Sequence, residues 1–177
     1  MQWIVHGERA LYQSEWVNLT LVDIEIPGER RFEHHVIRVP RPAGGVIIRQ
    51  NDELLLLWRH RFTTDTWGWE IPAGKVEPGE SPIEGAEREA LEETGWQPGP
   101  LRHVTTFHPV NGMGDHTFHI FITESATYVG EPTDRSEATL VEWVPIARVR
   151  EFIGGDAIRD GLSLCGLSVA FTLGLLD

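Results

Sequence analysis

GKVEPGESPIEGAEREALEETGW, residues 74–96, reads as a loop running into a strongly acidic helix. Six carboxylates fall between Glu80 and Glu93, several of them three or four residues apart. Helical residues at those offsets share a face, so a helix over Pro82–Thr94 gathers Glu89, Glu92 and Glu93 into one cluster. The end signals agree with that helix. Ser81 can cap it, Pro82 suits the first position, and Glu84 completes a Ser-x-x-Glu capping box. Gly95 stands where a left-handed C-terminal cap is expected. Ile83, Ala86 and Ala90 form a narrow apolar stripe suited to packing on a sheet.

Like charges stacked at these spacings destabilise a helix and call for a counter-charge. Arg88 lies four residues from both Glu84 and Glu92, yet one guanidinium cannot neutralise the whole set. Hard divalent cations bind such oxygen ligands, and Mg2+ takes one or two carboxylates together with substrate phosphates. A solvated acidic face is the ordinary explanation for a charge run. Here, however, the helix follows a Gly- and Pro-rich loop, PAGKVEPGE, and its charges fall in a fixed pattern.

That pattern resembles the Nudix box: a glycine, five residues, a glutamate, seven residues, then Arg-Glu-U-x-Glu-Glu-x-Gly-U, where U is aliphatic. Gly74, Glu80, Arg88, Glu89, Glu92, Glu93 and Gly95 are all in register, with Ala90 and Trp96 at the U places. Tryptophan at the second departs from the pattern and reads as a packing variation. The resemblance implies an α/β fold, a Nudix-type α/β/α sandwich with a mixed sheet, over about residues 42–177. It also implies hydrolysis of a nucleoside diphosphate linked to another group, with Mg2+ or Mn2+ as cofactor. By that resemblance Glu89 and Glu93 hold metal with help from Glu92, and the Ala73 carbonyl adds a ligand. Arg88 orients the glutamates, and Glu80 supports the junction of loop and helix.

Three features resemble the ADP-ribose pyrophosphatase branch. Glu70-Ile71-Pro72-Ala73-Gly74 leads into the box as that branch's E-[IL]-P-A-G does. An N-terminal β extension, residues 1–41, precedes the core, as in that branch's homodimers. Pro109, fourteen residues after Gly95, resembles the proline associated with ADP-ribose specificity. Arg61 aligns with an arginine that contacts phosphate there. The branch often draws a glutamate from a late loop, and Glu137 is the positional match, with Asp134 and Glu131 nearby. Its Glu-x-Glu is absent because Arg135 occupies the earlier place, so Glu137 stands as either a metal ligand or the general base.

The rest of the chain supports this outline. Residues 15–39 alternate bulky and polar side chains around PGER, which predicts a β-hairpin. Pro40 and Pro42 then mark a boundary. His34 and His35 fall on opposite faces of such a strand and make a poor metal pair. Residues 43–48 and 53–60 read as strands, and the run Leu54-Leu55-Leu56-Leu57 suggests one covered on both faces. Arg59 and Arg61 share a face just before the box and are candidate phosphate ligands. For Arg59 a surface salt bridge is an equal alternative. Trp67 and Trp69 are core residues, or one of them stacks on a base. Two further strands flank NGMGD, TLVEWV is another, and two helices end the chain.

Composition narrows the partners. With 177 residues and 41% hydrophobic content, the chain suits one domain with a small extension. A net charge of −12 argues against a nucleic-acid polymer. A small nucleotide-sugar remains suitable, because a bound metal inverts the local charge. Lone Cys165 excludes an internal disulfide. No signal segment opens the sequence, and the apolar run at residues 162–176 is too short to span a membrane. A cytoplasmic enzyme acting on ADP-ribose is therefore expected, with GDP-mannose or a similar compound as the alternative substrate. A Nudix-fold sensor without turnover is the rival of another class.

Overall fold

The computed structural model describes residues 1–134 and 138–177. Contacts divide these residues into two compact units: residues 1–42 with 108–117, and residues 43–107 with 118–177.

The first unit is built on a three-stranded antiparallel sheet of β1 (Ile4–Tyr12), β2 (Asn18–Ile26) and β3 (Arg30–Arg38), in that order. The expected hairpin is β2–β3, and Gly28 at φ 80° makes its turn. β1 is an addition. IVHGERALY lacks the alternation of a half-buried strand, and every one of its residues is exposed. Residues 108–117 also belong here, so NGMGD and the strand ends expected on either side of it join this unit. The Ile37 N–H donates to the Met113 carbonyl at 2.8 Å, and Arg38 pairs with both Glu8 and Asp115.

The second unit holds a seven-stranded mixed sheet. Its path runs β12 (Leu140–Pro145), β5 (Glu53–Arg61), β4 (Ala43–Gln50), β10 (Phe118–Thr123) and β9 (Arg102–Phe107). β6 (Thr66–Glu70) pairs with β5, and β7 (Ala73–Lys75) with β4. β4 and β10 run parallel and the other pairs antiparallel. A separate pair joins β8 (Trp96–Pro98) to β11 (Ala126–Tyr128).

Helices cover both faces. α1 (Pro82–Thr94) lays Ala86 and Ala90 on Val46, Ile48, Leu55 and Phe121. The other face packs Ile47, Leu54, Leu56, Ile120 and Ile122 under α2 (Ile146–Gly154) and α3 (Gly161–Thr172). Leu54 and Leu56 therefore enter one core and Leu55 the other, and Leu54 to Leu57 are all shut from solvent. Each such side chain contributes about 1.5–3 kcal/mol relative to exposure. Trp96 fills the gap at the end of α1, edge-on to Trp143 at 5.1 Å between ring centroids. Among the described residues, no helix is long and apolar enough to cross a membrane.

Candidate active site

α1 has the boundaries that its end signals predict. Glu84 accepts from the Ser81 N–H at 2.8 Å and from its hydroxyl at 2.6 Å, while the Ser81 oxygen accepts from the Glu84 N–H. These bonds hold the Glu84 carboxyl below its ordinary value. At the far end Gly95 turns the chain at φ 75°. A helix fixed at both ends presents its glutamates at a defined rotation toward the sheet and the loop before it.

Arg88 is the hub of one side of that helix. Its guanidinium donates to Glu80 at 2.8 and 3.1 Å, to Glu89 at 3.0 Å, to Glu92 at 2.9 Å and to the Lys75 carbonyl at 2.9 Å. The Glu80 bond is the main reason the arginine is held more firmly protonated than usual, and Glu80 is lowered in return. Glu80 also accepts the Glu77 N–H at 2.9 Å, which ties the box loop to the helix.

Glu89 and Glu93 are driven inward. Burial raises the Glu89 carboxyl, against the pull of Arg88. A Cβ on Gly74 would lie 2.1 Å from the Glu89 Cδ, so the missing side chain is what makes room for this carboxylate. Glu93 is buried, and one oxygen accepts from Arg59 Nη1 at 2.8 Å while the other accepts from the Ala73 N–H at 2.8 Å. Desolvation outweighs both bonds and pushes its pKa up to about 7.

The other expected site residues fall in several places. Arg59 is buried in its ion pair with Glu93, so that pair is an interior one rather than a surface bridge. Arg61 holds Glu70 with bonds of 2.9 and 2.6 Å and lines a polar cavity of about 360 Å3 with Thr63, Thr64, Thr66 and Arg159. Trp67 stacks on Trp58, whose face of the sheet carries Trp69 and Phe152 of α2. Strand alternation sends Arg59, Arg61 and Glu70 to the opposite face, with α1. Pro109 belongs to the first unit. Glu137 lies outside the described residues. The described ends of its loop approach α1, where the Asp134 N–H donates to the Glu92 carbonyl at 3.1 Å. A cavity of about 450 Å3 there is lined by Glu93, Tyr128, Glu131 and Asp134 among others. Glu70 carried no assigned role in the sequence reading. Its partners, Arg59 and Arg61, lie on the neighbouring strand β5, which local spacing does not disclose.

Among the described residues, no three acidic or imidazole side chains already converge as a metal cage. The donor set nevertheless suits a hard dication. Glu80, Glu89, Glu92 and Glu93 meet two guanidiniums, Arg59 and Arg88, leaving two negative charges to balance. All the donors are oxygens, and Glu89 lies against bare backbone at Gly74.

Comparison with known proteins agrees with this geometry. A family model described as NUDIX domain matches residues 39–161. The CMP-5'-(N-acetyl-N-hydroxy-3-aminopropyl)phosphonate hydrolase of Streptomyces rubellomurinus is 38% identical over 98% of this chain and 84% of its own. The ADP-ribose pyrophosphatase of Bacillus subtilis is 26% identical over 77% of this chain and 74% of its own. A crystal structure of an ADP compounds hydrolase superposes with a TM-score of 0.86, covering 98% of this chain and 94% of that one, at 17% identity. With its box in register and its fold matched, the chain belongs to the NUDIX domain family and is a Nudix pyrophosphohydrolase.

Proposed function

We propose that the protein hydrolyses the pyrophosphate bond of ADP-ribose or a related nucleoside diphosphate compound with Mg2+, releasing a nucleoside monophosphate. The observation that carries this reading is the surplus of carboxylate on α1, with Glu89 seated on Gly74 and Glu93 buried nearby. Glu89, Glu92 and Glu93 would hold the metal, with the Ala73 carbonyl as a further ligand. Bound there, a dication screens phosphoryl oxygens and lowers the pKa of coordinated water.

The chain's own groups do the rest. Arg88 fixes Glu89 and Glu92 from one side, while Arg59 and the Ala73 N–H fix both oxygens of Glu93 from the other. Arg61 spends its Nε N–H and one N–H of Nη2 on Glu70, which leaves both N–H groups of Nη1 and the second of Nη2 for a phosphate in the polar cavity. Glu137, three residues after Asp134 in sequence, is the proposed acceptor of the water proton. Pro109 as a substrate contact rests on the resemblance alone. Trp67, expected as a core residue or a platform for a base, stacks instead on Trp58, on the face of the sheet away from Arg59, Arg61 and α1. The exposed β1, with Trp3, Val5, Leu11 and Tyr12 in or beside it, supports a homodimer built through the N-terminal sheet. Light scattering on the full-length protein tests that assembly, and a monomer at micromolar concentration would contradict it.

A second reading follows from the Streptomyces relative, whose name places a phosphonate on CMP. The chemistry is the same, attack on a phosphorus anhydride, with a different base and acyl-aminopropyl group. Product analysis over ADP-ribose, GDP-mannose and a CMP-linked alkylphosphonate separates the two. AMP plus ribose 5-phosphate from ADP-ribose, at the highest kcat/KM of the panel, is expected from the first reading. Preference for the CMP compound establishes the second. No turnover of any anhydride by folded protein leaves a sensor.

A further inference from the structure

The Glu93 carboxylate belongs to a larger buried charge group than α1 supplies. Arg59, Glu70 and Glu93 are 4%, 3% and 3% exposed. Arg59 Nη1 donates to Glu93 at 2.8 Å, and its Nε lies 3.9 Å from Glu70 Oε2. The same Glu70 carboxylate takes both forks of Arg61, at 2.9 and 2.6 Å. The register of β5 against β6 produces this arrangement. Leu57 stands opposite Glu70, Arg59 opposite Gly68 and Arg61 opposite Thr66, so the three charged side chains share one face. Alternating charges thus run Arg61, Glu70, Arg59, Glu93, and the set is neutral.

We propose that Glu70 is a positioning residue for the reaction. It takes up the charge of Arg61 and shares that of Arg59, which leaves Glu93 open to a dication instead of wholly claimed by Arg59. This rests on the reading of Glu93 as a metal ligand. Without the Glu70 charge, two guanidiniums face one carboxylate in a desolvated site, where charges act more strongly than in water. Arg59, already 2.8 Å from Glu93, then has no second carboxylate to share its charge, and the net positive charge opposes an incoming cation. Deleting Arg61 instead removes a positive charge and favours the cation. Its side chain is 44% exposed, so little packing is lost with it.

The test is Mn2+ binding to the full-length protein without substrate, followed by electron paramagnetic resonance. Glu70→Gln weakens binding by about tenfold, Arg61→Gln does not weaken it, and the double variant returns to within about threefold of the parent. A merely structural role gives no such recovery. If Glu70→Gln binds Mn2+ like the parent, or the double variant binds no better than Glu70→Gln, the proposal is overturned. Should Glu70→Gln fail to fold, the charge-balanced double variant decides, and weak Mn2+ binding by it sinks the idea. Glu93→Gln in the same assay separates the two layers. Parent-like binding there removes the metal reading of Glu93, whereas its loss with an unaffected Glu70→Gln removes only the role of Glu70.

Discussion

Glu92 and Glu93 are neighbours in the chain and opposites in environment. Glu92 keeps 43% of its side-chain surface in solvent and rests on Arg88, four residues back on the same helix. Glu93 keeps 4% and rests on Arg59, from a strand 34 residues earlier. One pairing is local and screened, the other distant and desolvated. Exposed ion pairs contribute about 0–1 kcal/mol, whereas breaking a buried pair costs about 3–5 kcal/mol. The two sides of α1 should therefore answer differently to mutation. The Arg88 side tunes activity with small effects on stability. The Arg59 side couples activity to the fold.

The largest effect is expected at Glu93. Glu93→Gln should lower kcat by about a thousandfold or more, since it removes a charge from the metal-facing set. It should also lower stability by about 2–3 kcal/mol, because glutamine has one oxygen for two buried donors, Arg59 and the Ala73 N–H, and its NH2 must face one of them. Adding Arg59→Met should restore part of that stability and none of the activity, as chemical denaturation and initial rates would reveal. Additive losses in the double variant would break the proposed coupling.

Gly74→Ala comes next. The new methyl group collides with the Glu89 carboxylate, so activity should fall about ten- to a hundredfold while the thermal midpoint moves little. Unchanged activity would show that Glu89 works from another position. Arg88→Gln should follow, with a loss of about tenfold in kcat/KM and about 1–2 kcal/mol in stability, since its bonds are only half buried. A stability loss as large as that of Glu93→Gln would erase the contrast between the two sides.

Ser81→Ala should be the mildest, costing about 1 kcal/mol with kcat unchanged. It also carries a pH signature. Glu84 sits below its ordinary value of 4.5 because Ser81 donates to it, so its contribution is present above that value and fades as pH falls through the lower folded one. Denaturation curves taken between about pH 3 and 6 should show a shallower slope in Ser81→Ala, which removes the hydroxyl donor and keeps the backbone N–H. An identical slope would place the acid sensitivity elsewhere.

The same division between local and distant explains what could be read in the sequence. The ends of α1 and the Arg88–Glu92 pair follow from residues three and four apart and appear in the structure as expected. The reach from Arg88 to Glu84 is not made, because Glu84 bonds Ser81 and Arg88 turns to Glu80, eight residues back. The Leu54–Leu57 run announced a strand buried on both faces, which the two cores confirm. The link from Arg59 to Glu93 needs β5 to cross beneath α1, and no spacing encodes that. Glu70 was visible only as the first letter of the approach to the box. β1 escaped because a strand exposed along its whole length has no apolar period. NGMGD, residues 111–115, looked like a turn between two strands because its backbone partner, Ile37, lies on β3, far back in the chain.

The measurement that tests the account most directly is hydrolysis by EDTA-stripped protein, with Mg2+ added back, in the parent and in Glu93→Gln. Phosphorus NMR on ADP-ribose and a CMP-linked phosphonate would follow the anhydride itself. The account predicts no cleavage after stripping, full recovery with Mg2+ in the parent, and none in Glu93→Gln at any Mg2+ concentration. Cleavage that survives stripping, or Mg2+ recovery in Glu93→Gln equal to the parent, would contradict the assignment of the α1 carboxylates.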